Sequence, residues 1–290
     1  MSKKIKGLTD VLVDYQHDEN EADDLGEKLK AHLQAGNVAM ENGYYEQAWD
    51  HFYAVYSSKD TKATYYNYYR GEGAYSLCKL MQEIPNDDEL ITKLIQTDPD
   101  LVRKSKQKHV SNEFARKYIG RKYLVFAADT CGSFAAMAEY ALNCVGSGHK
   151  KSFVFDYNDR DAQVGLQWAN KLISCNDNDY KAIGYMVHAK YHFARYTKTK
   201  STEECKLFCD NVISAKNLVG ETNNEYTLYF FAHMCANPNF KDYNNGYYYD
   251  PKKGYELYCK VIETATDPDL VASATNIKGM LETKYPTKIK

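Results

Sequence analysis

GNVAMENGYYEQAWDHFYAVY, Gly36 to Tyr56, sets glycine, alanine and aromatic side chains at regular intervals through an otherwise polar segment. Downstream of the pair Gly43-Tyr44, residues Ala48, Phe52, Val55 and Tyr56 fall at i, i+4, i+7 and i+8, the spacing of one helix face. Upstream, Leu29, Leu33 and Ala39 or Met40 give a second apolar stripe of the same period. The stretch therefore predicts two antiparallel helices of roughly a dozen residues each, turning at Gly43-Tyr44, with small residues where they approach and aromatics filling the space between.

The downstream pattern returns three times. GLQWANKLIS, CKLFCDNVIS and GYELYCKVIE place Gly165/Ala169/Leu172/Ile173, Cys205/Cys209/Val212/Ile213 and Gly254/Tyr258/Val261/Ile262 at the same offsets. One such hairpin cannot bury its own face, so neighbours are required. The hexapeptide TDPDLV occurs at Thr97–Val102 and Thr266–Val271, and in each copy an Asp precedes a Pro in the manner of a capped helix start (Asp98-Pro99, Asp267-Pro268).

On these residues the first hairpin resembles a tetratricopeptide repeat: a small residue in the first helix (Gly36), a Gly-x-Tyr turn (Gly43, Tyr45), then Ala48 and Phe52, with Val55 at the last small position and His32 where the family carries Trp. The segment GYYYDPKKGYELYCKVIE resembles the longer Sel1-like repeat through Asp250, Gly254 and Tyr258. The resemblance implies an all-α fold, an α-α superhelix or solenoid of antiparallel helix pairs. It also implies an adaptor that holds a protein or peptide partner in a concave groove. Matched position by position, that groove would present Lys30, Gln34, Asn37 and Glu41 from the first hairpin, and Asn67 and Arg70 from the next helix. Leu33 stands where members that clasp a chaperone's C-terminal carboxylate have Lys, so that partner is not implied.

Composition agrees with a helical chain. Only 6 of 290 residues are proline, the strongest helix breaker, and KKSFVFDYN at Lys150–Asn158 is the one segment that reads as extended. A net charge of −2 supplies no global field toward nucleic acid or anionic lipid. The start of the chain carries no secretory apolar run, no stretch is long enough to span a bilayer, and the eight cysteines form no CxxC pair. The expectation is a cytoplasmic protein with free buried thiols. Four segments are expected: an acidic arm over 1–25, a helical half over 26–145, a linker over 146–161 broken by glycine, serine and charge, and a second helical half over 162–290.

Chemistry-bearing patterns are sparse. His188 and His192 share a helix face, as do Cys205 and Cys209, but the Glu of a HExxH site is missing and packing explains the cysteines. RGEG at Arg70–Gly73 lacks the third glycine and preceding strand of a phosphate loop. No nucleophile-base pairing stands out, so neither an enzyme nor a cofactor or metal site is expected. VRKSKQKHVSNEFARKYIGRKY carries eight Lys or Arg against one Glu, interleaved with aromatics, over an inward stripe of Val110, Phe114, Tyr118 and Val125. Read as one basic helix over 103–122, it offers RNA or another polyanion Arg103, Lys104, Lys108, Arg116 and Lys122 as the alternative to a protein partner. The 27 tyrosines, crowded at TYYNYYRGEGAY and YNNGYYYDPKKGYELY, are too many to face inward together and suit a recognition surface.

Overall fold

The computed structural model describes residues 25–59, 66–107, 109–145, 159–220 and 224–286, and among them every regular element is a helix. The expected acidic arm lies outside the described residues except for Leu25, as do positions 146–158 of the expected linker, including the Lys150–Asn158 segment. The described residues divide into two compact units, one through Met137 and one from Ala138 onward.

In the first unit α1 (Leu25–Glu41) and α2 (Tyr45–Ser57) form the predicted hairpin. Gly43 closes α1 with φ +79°, its N–H donating to Met40 O at 3.0 Å while the Tyr44 N–H donates to Ala39 O at 2.9 Å. This is the paired bonding of a helix end stopped by a left-handed residue, a conformation glycine adopts without a Cβ penalty. Next come α3 (Tyr66–Glu83), α4 (Glu89–Thr97), α5 (Pro99–Ser105) and α6 (Asn112–Val125), which runs on into a π-helical turn at Phe126–Thr130. α2 packs on α1 and α3, and α3 then packs on α6, with α4 and α5 intervening in sequence. α7 (Phe134–Cys144) carries the division between the units.

The second unit is serial. α8 (Asp159–Ile173), α9 (Asn178–Thr199), α10 (Thr202–Val219), α11 (Glu225–Ala236), α12 (Pro251–Thr264) and α13 (Pro268–Lys284) each pack on the next. Both TDPDLV copies start helices as predicted. Asp98 Oδ1 accepts from the Asp100 and Leu101 N–H groups, Asp267 Oδ1 from those of Asp269 and Leu270, and Pro99 and Pro268 open α5 and α13.

The repeated pattern has a repeated burial. Ala48, Phe52 and Val55 on α2, Gly165, Ala169 and Leu172 on α8, and Gly254, Tyr258 and Val261 on α12 are all buried, while the fourth position (Tyr56, Ile173, Ile262) is half-buried. On α10 the pattern differs only at Cys205, which is half-buried above buried Cys209 and Val212. The core of the second unit is aromatic. Phe208 meets Phe193, Phe230 and Phe240 with ring centroids at 5.1, 5.9 and 5.1 Å, contacts worth about 0.5–1.5 kcal/mol each beyond area burial.

The basic stretch is not one helix. α5 ends at Ser105, and α6 starts afresh where Ser111 Oγ accepts the Phe114 N–H, so Arg103 and Lys104 belong to one helix and Arg116 and Lys122 to another. The inward face of α6 is also rotated from the expected one. Val110 is buried as predicted, but on α6 itself Ala115, Arg116, Ile119, Gly120, Tyr123 and Leu124 are buried while Phe114, Tyr118 and Val125 are half-exposed. Ala115 and Gly120 are small enough to be buried on this face, and Arg116 reaches across to the α3 carbonyls.

All eight cysteines are free, five of them buried. No helix among the described residues is long and apolar enough to cross a membrane.

Glycine at a crossing and glycine on a free surface should respond oppositely to one methyl group. A Cβ on Gly254 would stand 2.8 Å from Ala236 N and 3.0 Å from Ala236 Cα, whereas at Gly279 on α13 nothing lies within 4 Å. Urea unfolding should show Gly254→Ala destabilised by about 1–3 kcal/mol from overpacking, and Gly279→Ala stabilised by about 0.5–1 kcal/mol from chain entropy.

Candidate functional site

The connection between α11 and α12, NPNFKDYNNGYYYD from Asn237 to Asp250, is long and ordered, whereas α8–α9, α9–α10 and α12–α13 are joined by short links. Asn237 Oδ1 accepts the Asn239 N–H at 3.0 Å and starts a 3₁₀ turn at Pro238–Phe240, whose Phe240 is buried against Phe208, Tyr196 and His233. The chain then passes through Asn244 (φ 49°), Asn245 (φ 54°) and Gly246 (φ 78°), three successive left-handed residues of the types that tolerate it. Two tethers hold the segment: the Tyr243 hydroxyl donates to Asp210 Oδ1, and the Asp250 N–H donates to Cys235 O at 3.0 Å. A third joins the Tyr249 and Tyr285 hydroxyls at 3.2 Å. Tyr247 is left 77% exposed, edge-on to Tyr248 at 4.9 Å.

Beside this segment lies a cleft of about 700 Å³. Tyr196, Lys200, Thr202, Cys205 and Lys206 from the α9–α10 junction form one wall, and Asn239, Asp242, Tyr243 and Asn244 the other. Lys200 ends α9 in the left-handed conformation, with its ammonium 5.5 Å from the Tyr196 ring centroid. Amides, phenols, two cations and one carboxylate over an aromatic wall can bind a polar, flexible chain by hydrogen bonds and stacking. The tyrosines of this segment stand out in the sequence, whereas the wall from the α9–α10 junction that completes the cleft does not.

A smaller apolar cavity of about 250 Å³ lies among α11, α12 and α13, lined by His233, Tyr258, Ile277 and Leu281 among others. His233 Nδ1 is 3.2 Å from the Tyr258 hydroxyl, and its Nε2 is 3.1 Å from Asn237 Nδ2. An Nδ1–H donating to the phenol while Nε2 accepts from the amide fits a neutral ring.

His188 and His192 stack at 6.3 Å, but each bonds to a neighbouring helix: His188 Nε2 to Asn170 Oδ1 of α8 at 2.9 Å, and His192 Nδ1 to Glu204 Oε2 of α10 at 2.7 Å. Arg195 Nε donates to the other Glu204 oxygen. Burial pushes the Glu204 carboxyl up, and these two bonds outweigh it, leaving the acid below its ordinary range. The histidines thus pin α9 to α8 and α10. Among the described residues no three or more His, Cys, Asp or Glu side chains are grouped to hold a metal ion.

In the first unit Lys30, Gln34, Asn37 and Glu41 form an exposed stripe along α1, and Asn67 is exposed on α3. Arg70 is engaged within the fold. Its Nε donates to Tyr56 O at 2.9 Å, and the guanidinium lies 5.0 Å from the Phe126 ring centroid. The aromatic cluster around it, Trp49, Tyr53, Tyr56, Tyr123 and Phe126, is built on α2, α6 and the π turn rather than on α1. His32, at the family's Trp position, has its Nδ1 2.9 Å from that of His51, one ring donating to the other.

Of the candidate polyanion residues, Arg103, Lys104 and Lys122 meet around Asp98, Asp100 and Tyr118, while Arg116 is turned into the fold. Arg103 pairs with Asp100 at 3.0 Å, Lys104 lies 5.0 Å from the Tyr118 ring centroid, and Lys122 pairs with Asp98 at 2.9 Å. Arg116 is buried, donating to Met81 O and Gln82 O at the end of α3 and to Asn86 Oδ1. Lys108 lies outside the described residues.

Burial holds the His233 and His32 rings down to a pKa of about 4, with His51 adding to the effect on His32. Both are therefore neutral in the fold, while the unfolded chain takes up protons below its ordinary value near 6.5. Their contribution to stability is whole above pH 6.5 and falls away as the pH drops toward 4. A gap of that size is worth up to about 3 kcal/mol for His233. Imidazole NMR should show neither ring titrating above pH 5, and urea midpoints should fall from pH 7 to pH 4.5, less steeply in His233→Gln.

No protein-family model matches the chain, and no curated protein or solved structure matches it.

Proposed function

We propose that the chain is a tetratricopeptide-like and, toward its end, Sel1-like repeat protein that works without catalysis, as a cytoplasmic scaffold or adaptor binding a protein or peptide partner. The observation that carries this reading is the ordered Asn237–Asp250 segment, rich in Tyr, Asn and Gly and standing beside a cleft lined by amides and phenols. Rigid, amphipathic Tyr with adaptable Asn is the composition that protein-recognition loops favour, because it gives contact area at low entropic cost. Long ordered connections in compact domains are commonly functional.

The common burial pattern on α2, α8, α10 and α12 supports a repeat architecture. In the first unit the exposed stripe of Lys30, Gln34, Asn37 and Glu41, with Asn67, offers a second recognition surface. Commitment of Arg116 to the α3 carbonyls and of Lys122 to Asp98 favours a protein partner over a polyanion.

Capture from native cytosol with the tagged full chain, with and without nuclease and at two salt concentrations, tests this. A nuclease-resistant protein partner should be held, its recovery reduced about tenfold or more by Tyr247→Ser with Asn244→Ala, or by Asn37→Ala with Glu41→Ala. Capture of nuclease-sensitive, salt-labile material alone would overturn the reading.

A further inference from the structure

Cys205 and Cys209 stand four residues apart on α10, so both sulfurs project from one helix face, with their β-carbons about 5–6 Å apart. Cys205 is half-buried and lines the cleft of about 700 Å³, while Cys209 behind it is fully buried. The pair is thus a dithiol with one mouth, open to solvent at Cys205 and closed at Cys209. Its charged surroundings are mixed: Lys200 and Lys206 line the cleft, Asp242 lies near Cys205, and Asp210 near Cys209.

We propose that Cys205 and Cys209 form a two-coordinate site for a soft monovalent cation, Cu(I), entered from the cleft. Thiolates select Cu(I) through their softness. Metal–thiolate bonds of about 2.3 Å laid end to end span about 4.6 Å, which suits two sulfurs on one face at this spacing. Zinc, which wants four ligands, is not served, since no third His, Cys, Asp or Glu joins the pair among the described residues.

Binding breaks two S–H bonds, forms two S–Cu bonds and releases two protons, leaving a bis-thiolate complex of charge −1. Because two thiol protons must leave, metal competes with protons and affinity rises with pH. The ammonium groups of Lys200 and Lys206 favour the anionic complex, and the two aspartates oppose it.

The site goes beyond the partner-binding reading, and its test needs no partner. Full-length reduced protein is titrated anaerobically with Cu(I) in the presence of a competing chelator, bicinchoninate. One equivalent of copper per chain should be retained, and X-ray absorption should show two sulfur ligands in a linear arrangement. Cys205→Ser and Cys209→Ser should each weaken retention at least a hundredfold, while Cys259→Ser, which leaves the pair intact, should change it less than twofold. Circular dichroism melts of each variant establish folding, and Cys205→Ala serves if the serine variant melts early. Absence of retained copper, undiminished retention in a folded Cys205 variant, or a three-sulfur signature would overturn the proposal.

Discussion

Close approach of helices at small residues is the constraint on which the rest of this structure depends. Where a glycine or alanine faces a neighbouring helix, backbones come near enough that a single added methyl group has nowhere to go. At Gly184 a Cβ would lie 2.7 Å from Ala169 O and 2.8 Å from Ile173 Cγ1; at Gly73 it would lie 2.8 Å from Tyr56 N. Each crossing fixes the distance between two helices, and the large residue one turn away fills the space that remains. Phe52, four residues after Ala48, and Tyr258, four after Gly254, are fully buried in that role. Close packing then penalises both smaller and larger replacements at each such crossing.

Much of this was legible because it is local. Gly43 predicts the turn, Ala48/Phe52/Val55 the buried stripe, and Asp98 and Asp267 the helix starts, since each signal lies within one turn of what it controls. The break inside the basic stretch was harder to read. Gln107, Ser111 and Asn112 are tolerated in helices, so no single residue marks the break after which the Ser111 cap starts α6. Arg116 itself misled as a surface cation, because its partners are backbone oxygens 34 and 35 residues away. The cleft could not be found from sequence at all: its walls, 196–206 and 239–244, meet through the docking of Phe240 on Phe208 and Tyr196 and the bond from Tyr243 to Asp210.

Tyrosine abundance also has a different meaning in three dimensions. Many of the rings are neither core filler nor free surface, but straps whose apolar faces pack on one helix while the hydroxyl reaches a polar group on another. Tyr226 donates to Asp267 Oδ2 at 3.1 Å, tying α11 to the cap of α13, and Tyr255 donates to Glu282 Oε1 at 2.8 Å, tying α12 to α13. Tyr243 reaches Asp210 and so holds the α11–α12 connection against α10. Phenylalanine would keep the packing of each strap and remove one donor from its carboxylate. Among the described residues the tyrosines most open for recognition are Tyr44, Tyr53, Tyr68 and Tyr247, of which Tyr247 is the most exposed.

The same logic accounts for the buried cation of the second unit. Lys190 on α9 is 6% exposed, with its ammonium 4.4 Å from the Tyr226 ring centroid. Burial pushes its pKa down to about 7, against the pull of Asp267. Near neutral pH the charge is held on the face of an aromatic ring whose hydroxyl is itself bonded to that aspartate. Cation, ring and carboxylate form a chain through α9, α11 and the start of α13, in which each member offsets the cost of burying the next. Removing the Tyr226 hydroxyl breaks one hydrogen bond; removing the ring also takes the aromatic face from the buried Lys190 ammonium and opens a cavity, so the second change is the costlier one. Helix spacing in this protein is thus set by its smallest residues, and the pairing of the helices is secured at their edges by tyrosine.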